Sequence, residues 1–378
     1  MSKLKKYRLT VIGAGDRGNT YMSMIQEHYP DLFEWDTVCD ILPDRMDEAA
    51  ETYGFRVKEA AWEKAILDSR PDIVILAVPA YFHCDMAMFA MRNGCHVLTE
   101  KPMDLSLDKC FALKACRGET GKVLAVGMQY RNVPWFRAMQ RAMERKIFGE
   151  NLMIHWSDIR ETRTKTAMHD AVYGNGGPLV DMACHLFDLM RLYYHSDPVR
   201  VSCQWRSNAL HRPELDEVET KAADACFLTV EYENGSLGEI MLNWGLPFGV
   251  NGELMCAVMG SEALFPCQPV PGDPPIEICI EDYEEAEVSP LPEDEDDLID
   301  PERAVFLHFL AEIEGRGKAQ VSEEHGIVCL AASLAALRSG ALGRPVALEE
   351  IYRLKPTVAE CMAATIPPCG HPSTEGNE

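Results

Sequence analysis

Arg8-Leu9-Thr10-Val11-Ile12-Gly13-Ala14-Gly15-Asp16-Arg17-Gly18 is the stretch on which the fold turns. The apolar, β-branched run from Leu9 to Ile12 reads as a strand, and the G-x-G-x-x-G after it reads as that strand turning into a helix. Gly13 permits the tight turn, Gly15 lets the backbone approach a pyrophosphate, Gly18 allows close helix packing, and the helix N-terminus attracts phosphate. Asp16 and Arg17 complete the loop and join the glycines as candidate cofactor residues. Asp40 lies 22 residues beyond Gly18, at the end of the next strand. A carboxylate there accepts hydrogen bonds from the ribose 2′-hydroxyl of NAD and repels the 2′-phosphate of NADP. Arg45 pulls the other way, because a nearby arginine can accommodate that phosphate. The bland alternative is an ordinary strand-to-helix turn with Asp40 capping the following helix. With strand, glycines, helix and acid all in place, NAD is the expected cofactor and NADP the less favoured one.

Outward from this loop, the first third of the chain alternates apolar runs with helical stretches, as a doubly wound parallel sheet does. Strands are predicted at 35–39, 72–78, 95–98 and 123–126, and helices over 18–28, 43–53, 82–93 and 106–119. After Gly127 the strands lengthen and alternate, at 152–156, 199–203, 225–230 and 237–242, with Asn234-Gly235 as a hairpin turn between the last two. The expected fold is α/β: an N-terminal Rossmann domain (1–127) and a second α/β domain with a largely antiparallel sheet (128–365). Helices are expected at 302–314 and 323–339, and a disordered tail at 366–378. Residues 266–301 are rich in proline and acid, and 281–302 hold twelve carboxylates without a lysine or arginine. That stretch reads as a solvated excursion.

Composition narrows the class. The chain has 378 residues, 47% hydrophobic and 25% charged, enough to bury one or two ordinary cores. A formal net charge of −24 opposes phosphate backbones and anionic bilayers, so nucleic-acid and membrane partners are not expected. No apolar run in the sequence approaches the roughly 18 residues of a spanning helix, and the basic start lacks a following apolar region, so a cytoplasmic protein is expected. Fourteen cysteines are scattered without the two-residue gap of a zinc knuckle. They read as buried thiols in a reducing compartment, and no metal is expected.

Two further stretches carry chemistry. Glu100-Lys101-Pro102 follows a strand and so lies at the carboxyl edge of the sheet, where open α/β proteins bind ligands. Lys101 there can hydrogen-bond a substrate oxygen and hold its deprotonated form; the alternative is a surface Glu-Lys pair. Gly176-Gly177-Pro178-Leu179-Val180-Asp181-Met182-Ala183-Cys184-His185-Leu186-Phe187-Asp188 starts a helix. Asp181 and His185, four apart, are expected on one face, with Asp188 three further on. A carboxylate beside an imidazole raises its basicity, and His185 could remove a hydroxyl proton as hydride leaves the same carbon. A helix cap and a buried structural histidine are the alternatives.

Taken together with the closing Ser339-Gly340-Ala341-Leu342-Gly343-Arg344-Pro345-Val346, these motifs resemble the Gfo/Idh/MocA oxidoreductases over roughly 9–348. The resemblance implies a Rossmann domain followed by an α/β domain with an open-faced sheet, commonly used for homodimer or homotetramer contacts. It also implies oxidation or reduction of sugars, inositols and related polyols with NAD or NADP. Lys101, Asp181 and His185 match the family's catalytic lysine, aspartate and histidine. Pro79 to His83 match the segment near the nicotinamide ribose, and Gln129-Tyr130-Arg131 the segment lining the nicotinamide and substrate pocket. Arg160, Arg163, His169, Asn243 and Trp244 fall where the family lines its substrate pocket.

The leading expectation is NAD-dependent oxidation of a secondary hydroxyl on a sugar, glycoside or cyclitol, with His185, oriented by Asp181, as base. An alternative is a redox-neutral glycosidase, epimerase or anhydro-sugar-converting enzyme with tightly bound, recycled NAD, for which Tyr130, His169 or Glu161 could supply the extra base. A third, a cofactor-binding regulatory protein, is disfavoured by the intact Lys101, Asp181 and His185.

Overall fold

The computed structural model describes residues 6–270, 276–280, 285–288 and 299–364. The first sheet contains β1 (Tyr7–Ile12), β2 (Phe33–Cys39), β3 (Val57–Lys58), β4 (Ile73–Leu76), β5 (His96–Thr99) and β6 (Leu124–Val126). Its order is 3-2-1-4-5-6, and every pairing is parallel. β4 is buried along its whole length, as a strand covered on both faces must be. Ile12 pairs with Cys39 and Leu76, Leu76 with Thr99, and Thr99 with Val126. The carboxyl ends therefore finish level, and the loops at 13–18, 77–79, 100–102 and 127–131 share one edge.

The second sheet has nine strands: β7 (Met153–Glu161), β8 (Pro198–Arg206), β9 (Ala225–Tyr232), β10 (Leu237–Leu246), β11 (Leu254–Met259), β12 (Ala263–Pro269), β13 (Ile276–Ile280), β14 (Glu285–Val288) and β15 (Val346–Ala347). Their order is 14-13-12-11-7-10-9-8-15, antiparallel except between β7 and β10. On β9, Cys226, Leu228, Val230 and Tyr232 are buried while Phe227 and Thr229 are exposed, so helices cover one face and the other stays open.

The stretch at 266–301 departs from expectation. It contains the end of β12 together with β13 and β14, which extend the sheet at its edge. The alternation of Ile276-Glu277-Ile278 carries a strand signal that the density of acids conceals. Most of the remaining acidic stretch, and the tail at 366–378, lie outside the described residues. Among the described residues all thirteen cysteines are free and eleven are buried.

The helix Glu323–Leu342 is long and apolar enough to cross a membrane by length and composition, contrary to the reading of the sequence, but two thirds of its apolar window is buried inside the molecule. It is a core helix against β8 and the helix Ala183–Tyr194. The helix Pro301–Ile313 returns to the first sheet, where Val305, Phe306, Phe309 and Leu310 join Leu9, Tyr21 and Phe33 in one apolar cluster.

Candidate active site

The carboxyl edge of the first sheet and a strap of the second domain enclose a cleft of about 410 Å³. The glycine loop forms one wall. Gly13 has a φ of +94°, and a Cβ there would lie 2.3 Å from the Ala77 carbonyl oxygen; one on Gly18 would lie 2.0 Å from that of Gly13. Gly15 differs, because a Cβ would meet only the Arg45 guanidinium, at 3.4 Å. No side chain caps the helix Asp16–His28, so its positive end is free to face an anion. Asp40 braces this loop: its carboxylate accepts from the Ala14 amide at 2.8 Å and the Leu42 amide at 2.9 Å, with Arg45 3.9 Å away. The bare surface over Gly15, the uncapped helix and the adjacent acid fit a dinucleotide.

Glu100 is buried and accepts from the Tyr21 hydroxyl at 2.7 Å and from Arg17 at 2.9 Å, tying the helix Asp16–His28 to the loop that carries Lys101. The Lys101 ammonium donates to the Asp181 carbonyl at 3.0 Å and lies 3.2 Å from the Asp181 carboxylate. Asn175 donates to the same carboxylate oxygen at 2.9 Å. Burial works against the Lys101 charge, but Asp181, Cys184 and Glu100 together outweigh it and raise the lysine pKa. His185 goes the other way: burial first, then the charges of Lys101, Arg17 and Arg160, push its pKa well below the usual imidazole range. Its ring stacks on Tyr130, with centroids 4.1 Å apart and planes inclined by 10°, and its Nδ1 has no hydrogen-bond partner.

The expected Asp181–His185 pair is therefore not formed. The predicted single helix breaks at Met182 into Pro178–Asp181 and Ala183–Tyr194, so a spacing of four no longer places both side chains on one continuous face. Asp181 serves Lys101 instead. Asp188, three residues beyond His185, is bound by Arg131 at 2.5 and 2.6 Å.

Of the other candidates, Asp16, Arg17, Arg45, Pro79, Gln129, Tyr130, Arg160 and Trp244 line the cleft with Glu100, Lys101 and His185. Asp158 links two of them, accepting from Arg160 at 2.6 Å and from the Trp244 indole at 3.2 Å. Gly13 and Gly18 shape the loop by packing. Five candidates are drawn elsewhere. The His83 ring is buried, with its nitrogens 2.8 Å from the Pro102 and Val78 carbonyl oxygens, and so braces two loops. Arg131 is consumed by Asp188 and the Gln320 carbonyl. His169 is buried and accepts from the Arg163 amide at 3.1 Å. Asn243 faces the open side of the second sheet, beside Phe227 and Gln204. Glu161 accepts from the Gly249 amide.

Two contributors escaped the reading of the sequence. Asn175 steadies Asp181 and accepts from the Ala80 amide at 3.0 Å; its position between Gly174 and Gly176 was the available signal. Lys165, on the strap after β7, pairs with Asp16 across the cleft mouth.

Residues 7–128 match an oxidoreductase family with an NAD-binding Rossmann fold, Gfo/Idh/MocA, and residues 136–265 match that family's C-terminal domain. D-glucoside 3-dehydrogenase of Escherichia coli (strain K12) is 26% identical over 246 residues, 61% of this chain and 68% of its own. The scyllo-inositol 2-dehydrogenase (NAD(+)) of Bacillus subtilis (strain 168) is 24% identical over 257 residues, 68% and 72% of the two chains. The solved structure of levoglucosan dehydrogenase in complex with NADH superposes with a TM-score of 0.77 at 19% identity, covering 91% of this chain and 99% of that one.

Proposed function

Because the chain belongs to the Gfo/Idh/MocA oxidoreductases, we propose that it oxidises a secondary hydroxyl of a sugar, glycoside or cyclitol with NAD. The observation that carries this reading is one cleft that holds Lys101, 3.2 Å from the Asp181 carboxylate, together with a buried His185 whose Nδ1 has no hydrogen-bond partner. Relatives named for glucosides and inositols support the substrate class.

Gly15, Asp16 and Arg17 would hold the pyrophosphate, Asp40 the ribose, and Pro79 and Gln129 the nicotinamide end. The bound nicotinamide supplies the hydride acceptor. His185, unprotonated at neutral pH, takes the hydroxyl proton; Lys101 stabilises the oxyanion that develops on the same oxygen. Asp181 acts through Lys101, keeping it charged and aimed, rather than through the histidine. Tyr130 fixes the plane of the His185 ring by stacking on it. Phe227 and the open face around it support assembly into a homodimer or homotetramer through the second sheet.

The test is NADH formation across a panel of sugars, glycosides and inositols. Lys101→Ala and His185→Ala should each lower kcat/KM by about 10²- to 10⁴-fold, leaving NAD affinity near wild type. Failure of the wild-type protein to reduce NAD with any member of the panel would defeat the reading. Full turnover in either variant would remove that residue's role.

A further inference from the structure

One cation lining the cleft has no carboxylate partner. Every other cation that lines it has a carboxylate within 4.0 Å, Arg160 for instance having Asp158 at 2.6 Å. Arg163 has none among the described residues. Its guanidinium carbon lies 5.7 Å from the centre of the Trp244 indole, and that of Arg160 lies 5.8 Å from the same ring. Two guanidinium groups thus crowd one aromatic ring, and only one of them is neutralised. The arrangement is built rather than incidental: Trp244 is 2% exposed and tethered through its indole nitrogen to Asp158, and the Arg163 amide is anchored on His169.

The cationic pair adjoins the reacting centre. Arg160 lines the same wall of the cleft as Tyr130, the residue that stacks on His185. An unpaired, half-buried guanidinium beside a reaction site offers a planar fork that a carboxylate fills with two parallel hydrogen bonds. It offers one net positive charge, which a carboxylate monoanion matches; a phosphate dianion would bring a second charge without a partner.

We propose that the substrate is an acidic sugar, a uronate or aldonate, whose carboxylate is bound by Arg163 with Arg160 while a ring or chain hydroxyl is presented to His185. This rests on the oxidoreductase reading and narrows its substrate class. The carboxylate also offsets part of the positive field that weakens His185 as a base, so an acidic substrate strengthens the base that takes its hydroxyl proton.

The experiment is calorimetric titration of the NAD-saturated protein with D-glucuronate, D-gluconate, D-glucose, myo-inositol and D-glucose 6-phosphate, alongside NADH formation with each. At least one carboxylate should bind about tenfold or more tightly than its neutral counterpart. Arg163→Gln should abolish that preference and Arg163→Lys should restore part of it. Equal or better binding of the neutral compounds, preference for the phosphate, no binding of either acid, or an unchanged preference in Arg163→Gln each overturns the proposal. The two readings fail separately. An acid that binds through Arg163 but is never oxidised counts against the oxidoreductase function alone, whereas a neutral sugar oxidised with no preference for acids counts against the carboxylate site alone.

Discussion

Asp40 illustrates how much one residue can be asked to do. Its carboxylate holds the Ala14 and Leu42 amides, so it shapes the glycine loop, and in the proposed reading the same charge repels the 2′-phosphate of NADP. Arg45, half-exposed and 3.9 Å away, is the counterweight. Asp40→Asn should therefore raise NADP affinity relative to NAD by about tenfold, and Arg45→Ala in the same background should reverse the gain. Competitive titration of the two nucleotides measures it, and an unchanged ratio would refute the role. The glycines and this acid were legible because their work is local, done within one turn or one strand end. The partner of Asp181 was not legible for the opposite reason: it is Lys101, eighty residues earlier in the chain, and the helix that was to join Asp181 to His185 breaks at Met182. Asn175 shares that obscurity, since its partners are the Ala80 amide and a carboxylate six residues on.

Among the elements, the glycine loop separates stability from binding. A methyl group on Gly13 collides with backbone at a φ of +94°, whereas one on Gly15 meets only the far end of Arg45. Gly13→Ala should destabilise the protein by about 2–4 kcal/mol, and Gly15→Ala by less than about 1 kcal/mol while still weakening NAD binding by tenfold or more. Denaturant melts paired with NAD titrations distinguish the two effects; equal losses of stability would contradict the geometry. Strands buried on both faces, such as β4, announce themselves as continuous apolar runs. Others do not. β3 has two residues, Val57 and Lys58, both exposed, and its place is set by pairing with β2 rather than by pattern. The helix Pro134–Glu144 went unread although Trp135, Phe136, Met139 and Met143 form a buried stripe, because Arg137 and Arg141 interrupt the run.

The molecule as a whole carries a pH signature. Burial lowers the pKa of His83, His169, His185 and His325, the last to about 4. In the unfolded chain each titrates near about 6.5, so below that pH the unfolded state binds more protons than the native one. Stability should be complete above this value and should fall as pH drops, with a limiting slope of about 1.4 kcal/mol per pH unit for each histidine. A Tm that stays level or rises between about pH 7 and 5.5 would contradict it. The cores do not respect the division of the chain at 127. One apolar cluster runs from Ile12 and Val74 through Trp156 to Leu334, and a second joins Leu9 and Phe33 to Phe306 and Phe309. That return of the helix Pro301–Ile313 has a consequence for biosynthesis. When residue 127 leaves the ribosome, all six parallel strands exist, but the part of the apolar cluster that Phe306 and Phe309 complete is still open. Until the helix Pro301–Ile313 is made, the contacts of Phe306 with Phe33 and Tyr29 are missing, so residues 1–127 alone should melt below the whole chain and make a poor module for transplantation.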